Sequence, residues 1–155
     1  MSMALFSLNL MEKLLGDAQG EVVHTSVERL KDSVARDVER LLNSRCGLQP
    51  EALDGLPQCQ QSVLSYGLQD FVAFSLSSEH DRNSLCQDIQ RSLALHEPRL
   101  RQVQVVVSRT DGSTQRLHFG IRALLVAHEA MEPVSFDAVL SPLTQRYQVQ
   151  RPLGG

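Results

Sequence analysis

Tryptophan is missing from the 155 residues, and Tyr66 and Tyr147 are the two tyrosines. A carbohydrate would find few aromatic platforms on such a chain. The three cysteines Cys46, Cys59 and Cys86 form no C-x-x-C pair and stand at no zinc spacing from a histidine, which excludes a disulfide framework and a zinc ribbon. They read as small free thiols in a reducing compartment. None of the five histidines His24, His80, His96, His118 and His128 lies four residues from another. A metal site would therefore need ligands from distant segments. No G-x-S-x-G, P-loop or dinucleotide fingerprint occurs, and no apolar run approaches the length that spans a bilayer. The net charge of -3 and pI near 5.9 argue against broad nucleic-acid binding. The opening "MSMALFSLNLMEKLLG" has neither a basic leader nor a small-residue cleavage site. The expectation is a cytoplasmic protein without cofactor or metal.

What is present is a chain 42% apolar and 21% charged, enough for one core and too short to divide into two. Residues 5–15 place Leu5, Leu8, Met11, Leu14 and Leu15 at helical spacing before Gly16. They are expected to be a docking arm rather than core, within an N-terminal unit of residues 1–20. Thr25 and Glu28 form a T-x-x-E capping box. Behind it Val27, Leu30, Val34, Val38, Leu41 and Leu42 share one helical face, and Gly47 offers a stop. Residues 48–77 carry prolines, glycines and apolar residues without a sustained period, which predicts an ordered connection with short turns. A second helix is expected from Ser78, with Asp81 as its S-x-x-D partner, through Leu85, Ile89, Leu93 and Leu95 until Pro98 ends it.

From Arg101 the period becomes two. Val103, Val105 and Val107 fall on one face and Gln102 and Gln104 on the other. The turn signal "TDGS" at 110–113 and the alternation of Leu117, Phe119, Ile121, Ala123 and Leu125 predict a long hairpin. A third strand is expected at Val134, Phe136 and Ala138 after a break at "EAMEP", and a short strand at Tyr147 and Val149 within a polar tail of residues 146–155. The fold class that follows is α+β, with helices on a mainly antiparallel sheet of three or four strands in one domain.

Catalytic constellations are weak. A glycosidase needs two carboxylates about 5–10 Å apart, and no spacing selects a pair from Asp70, Glu97, Glu129, Glu132 and Asp137. Glu97 breaks a local rule, because a carboxylate in the last turn of a helix meets the negative end of its dipole. Arg99, two residues on across the stiff Pro98, is either its compensation or half of a polar clamp.

These pieces, in order, resemble a known family. "SLNLMEKLLG", a helix ending "LLNSR", the stretch Ser62 to Phe71 with Tyr66, Gly67 and Leu68, a helix ending "HEPRL" and a valine strand are similar to the TssE subunits of the type VI secretion baseplate. Those subunits belong to the phage-tail baseplate wedge proteins often labelled lysozyme-like. The resemblance covers about residues 5–145 and implies that residues 21–145 are the wedge domain. Ser65 and Gln69 stand where the family usually has Asn and Pro, and Cys46 where a second basic residue is common.

The resemblance implies a non-enzymatic structural role, linking the baseplate wedge to the contractile sheath and helping to start it. Partners would be TssF and TssG in the wedge, TssB and TssC in the sheath, and TssK, in a baseplate docked at the inner-membrane complex. Glu97, Pro98, Arg99, Tyr66, Gly67 and Leu68 would be its partner-contact residues, and a hairpin edge would receive a neighbour's strand. The alternatives are a murein hydrolase using Glu97 as its acid, or the wedge subunit of a phage tail or other contractile device.

Overall fold

The computed structural model describes residues 27–70, 77–108, 116–127 and 130–152. Helix α1 spans Val27–Leu42, the short helix α2 Pro57–Gln60 and helix α3 Glu79–His96. Strands β1 (Leu100–Ser108), β2 (Leu117–Ala127), β3 (Ala130–Ser141) and β4 (Arg146–Gln150) form one antiparallel sheet in the order β1-β2-β3-β4. This is the α+β architecture expected. The docking-arm segment, the Thr25 cap and the "TDGS" turn lie outside the described residues.

Helix α1 buries the stripe the sequence marks out: Leu30, Val34, Val38, Leu41 and Leu42 are enclosed and Val27 packs at their margin. It stops at Leu42, before Gly47. The reason is Asn43, whose side-chain amide donates to Glu39 O and to Tyr147 O across the core boundary. Helix α3 begins as predicted, with Ser78 Oγ accepting from the Asp81 N–H. Leu85, Ile89 and Leu93 are buried, but Leu95 is 37% exposed. Two residues past Leu93 turn a helix by about 200°, so Leu95 leaves the stripe. The connection between α1 and α3 contains turns of 3-10 helix at Pro50–Leu53 and Val63–Ser65 flanking α2.

The helices cover one face of the sheet. Val103 and Val105 on β1, Phe119, Ile121, Ala123 and Leu125 on β2, Val134, Phe136, Ala138 and Leu140 on β3 and Tyr147 on β4 all turn inward. Leu100 also faces in, three residues before Val103, which strict alternation forbids. A bulge reconciles them. The register shifts between Arg101 and Gln104, and Gln102 takes a φ of 52°. The break expected at 129–133 narrows to the β2–β3 connection, because Met131, Glu132 and Pro133 belong to β3 and pair with β2. Pro133 is tolerated because β4 reaches only Asp137–Ser141, leaving β3 an edge where the proline stands. Tyr147 and Val149 form β4, so the sheet extends into the residues expected as a tail.

The two edges of the sheet differ. On β4, the Tyr147 N–H donates to Asn43 Oδ1 at 2.9 Å and the Val149 N–H donates to Glu39 Oε2 at 2.8 Å. Together with the Asn43 bond to Tyr147 O, helix α1 treats this edge as a neighbouring strand would. On β1, among the described residues, the backbone of Val107 meets the weak Cys86 sulfur of α3.

Candidate functional site

The corner between α3 and β1 is built from its last turn. The Glu97 N–H still donates to Leu93 O, and the Leu100 N–H returns to Glu97 O at 3.1 Å, which closes a turn around Pro98. Proline keeps Glu97 out of helical geometry, and its φ of -119° and ψ of 82° show this. Arg99 O then accepts from the Val126 N–H and enters the sheet.

Within this turn Arg99 folds back on Glu97. Its Nε reaches Glu97 Oε1 and an Nη2 reaches Glu97 Oε2, both at 2.7 Å, a fork-on-fork geometry. The same Nη2 donates to Asp37 Oδ2 of α1 at 2.7 Å. Glu97 is 5% exposed and the Arg99 side chain about a quarter exposed. The bond to Glu97, then Asp37 behind it, raises the Arg99 guanidinium above its ordinary range despite partial burial. The misplaced carboxylate is thus answered by a cation tied to a second helix.

The Tyr66 segment sits beside this corner. Its ring meets the His96 ring edge-on at a centroid distance of 5.3 Å, while His96 Nε2 lies 3.1 Å from Ser65 O. Burial, then the charges of Asp37 and Glu97, push the Tyr66 phenol up. Gly67 is enclosed at a φ of 108°, and a Cβ there would fall 2.6 Å from Ser44 O. Its carbonyl accepts from the buried Ser92 hydroxyl of α3. Leu68 is fully enclosed and its backbone exchanges bonds with Ser44 and Cys46, in a parallel bridge to Arg45. Of the six residues singled out, Glu97 and Arg99 are in contact, Pro98 and Tyr66 reach solvent, and Gly67 and Leu68 shape the support beneath Tyr66.

Sequence reasoning missed Asp37, 62 positions from Arg99. Its one signal is an acid on the flank of the apolar stripe of α1. It also missed the apolar margin around Tyr66. Leu48, Leu56, Val63 and Leu64 of the connection and Leu95 of α3 are all exposed, with Val63 at 86%. A cavity of about 160 Å³ opens beside Leu48 and Leu95, between Leu53, Ser65 and Ser92. Among the described residues no group of His, Cys, Asp and Glu is placed to hold a metal, and no helix is long and apolar enough to cross a membrane.

Residues 28–130 match the family of baseplate wedge protein gp25. The chain belongs to that family. It is accordingly a structural baseplate component, as the resemblance implied. No curated protein matches the chain. Among solved structures, a chain of "The baseplate complex from the type VI secretion system" superposes with a TM-score of 0.51 at 17% identity. The match covers 74% of this chain and 96% of that one, and shows a shared fold.

Proposed function

We propose that this wedge-family protein is a non-enzymatic type VI secretion subunit that joins the baseplate wedge to the contractile sheath and offers the sheath its first lattice position. It works in the cytoplasm, in a baseplate docked at the inner-membrane complex. The partners that fit are TssF and TssG in the wedge, TssB and TssC in the sheath, and TssK.

The observation that carries this reading is the asymmetry of the sheet edges. Helix α1 occupies the outward groups of β4 with Asn43 and Glu39. Among the described residues the edge of β1 beyond its bulge carries the weak Cys86 contact at Val107, and we assign Gln104–Val106 to accept a strand, where main-chain hydrogen bonds supply affinity. The corner ends at the start of the same strand. Arg99 and Tyr66 supply its accessible chemistry, and Glu97 and Asp37 hold the guanidinium in place. Murein hydrolysis fits less well, since both Glu97 oxygens are engaged by Arg99.

The test mixes purified protein with TssF–TssG and with TssB–TssC and reads complex mass by light scattering, for wild type, Arg99→Ala and Tyr66→Ala. Wild type is expected to join a wedge and seed sheath, while variants with intact circular dichroism fail. A wild-type protein that joins neither assembly would overturn the reading, and cell-wall turbidity loss abolished by Glu97→Gln would restore the hydrolase.

A further inference from the structure

The face of the sheet turned away from the helices is more apolar than a solvated face requires. Strand β2 reads "ALLVA" at 123–127, nearly continuous where a half-buried strand would alternate. Its outward residues Leu124 and Val126 are half-buried, and they stand opposite Pro133 and Met131 of β3, the latter 63% exposed. These four side chains form an apolar patch at the end of the sheet that carries the β2–β3 connection. Among the described residues no helix packs on it. Arg101, paired with Leu124 across β1, and Arg122 place two guanidiniums at its border.

The chain supplies an occupant of matching chemistry. Helix α1 starts at this end of the sheet, since Lys31 in its second turn meets Glu132, the neighbour of Met131 and Pro133, at 3.2 Å. The start of α1 at Val27 therefore stands at the same end of the sheet as the patch, on the opposite face. Residues 16–26 extend at most about 40 Å, and passing from the helix layer to the outer face of the sheet spans two layer spacings of about 10 Å each. Ahead of them lies the amphipathic stretch 5–15, with Leu8, Met11, Leu14 and Leu15 on one stripe and Glu12 at its margin, four residues after Leu8.

We propose that residues 5–15 of this same chain dock as an amphipathic helix on the outer sheet face, with their leucine stripe over Leu124, Val126, Met131 and Pro133 and Glu12 toward Arg101 and Arg122. The domain is then a three-layer sandwich of helices, sheet and arm. This assignment stands apart from the baseplate reading, because it concerns how one chain covers itself.

A photo-crosslinking p-benzoylphenylalanine at position 8 tests it in the full chain, with equal amounts of light and heavy-nitrogen protein mixed at low concentration. The expected products are crosslinks within one isotopic chain to peptides spanning 122–135, reduced at least fivefold by Met131→Asp in protein whose circular dichroism is unchanged. Crosslinks joining light and heavy chains would assign the patch to a second copy and overturn the proposal. Crosslinks to the 48–66 connection, or none, would also overturn it.

Discussion

At the scale of single residues, the corner and its support are held by stereochemistry that few substitutions preserve. Gly67→Ala would put a Cβ within 2.7 Å of the Ser44 carbonyl carbon at a φ of 108°. We expect a loss of about 3 kcal/mol, or roughly 6–12 °C in Tm. Calorimetry checks it, and an unchanged Tm would mean that Ser44 yields freely. Glu97→Gln keeps the shape and removes the charge that Arg99 grips with two bonds. With Asp37 still in place, the expected cost is ~2 kcal/mol, read as a lower urea midpoint at unchanged slope. Full stability would show that Asp37 suffices to hold the guanidinium. The sequence marked Glu97 as anomalous because helix polarity acts within one turn. Asp37 was illegible because nothing local links positions 62 apart.

At the scale of elements, periodicity revealed the stripes of α1 and α3 and the alternation of β1, β2 and β3. Each depends on neighbours within a few residues. What stayed hidden were tertiary decisions: the stop at Asn43, the bulge at Gln102 and the continuation of β3 through Pro133. Of the candidate site, residue identities were legible, but not the split between Leu68, which is fully enclosed, and Tyr66, which is open. The seal of β4 by α1 makes a sharp prediction. Asn43→Ala strips the Tyr147 N–H and C=O of their partners. The expected cost is on the order of 2–3 kcal/mol, with faster hydrogen exchange at the Tyr147 amide than elsewhere in the sheet. Exchange unchanged at Tyr147 would deny the seal.

At the scale of the whole molecule, one buried ring contributes to the alkaline limit of stability, beside the Tyr66 phenol and the Cys86 thiol, which burial also pushes up. Tyr147 is 1% exposed, and burial raises its phenol above the ordinary tyrosine value near 10. The folded state therefore keeps the proton while the unfolded chain begins to lose it above about pH 10. The stabilisation is complete below that pH and is lost as pH rises through the folded pKa. Tyr147→Phe is expected to lose less stability than wild type between pH 10 and 11, measured by urea unfolding. Parallel losses in the two proteins would remove Tyr147 as the cause.

The clasp between α1 and β4 also bears on the order of folding. Its partners lie 104 and 110 residues apart, whereas β1, β2 and β3 meet through neighbouring hairpins. Long-range closure must meet its entropy before any bond rewards it, so we expect the hairpins to assemble first and the clasp to shut last. Until it does, the nascent sheet has two exposed rims, the interval in which such chains are most prone to stick to one another.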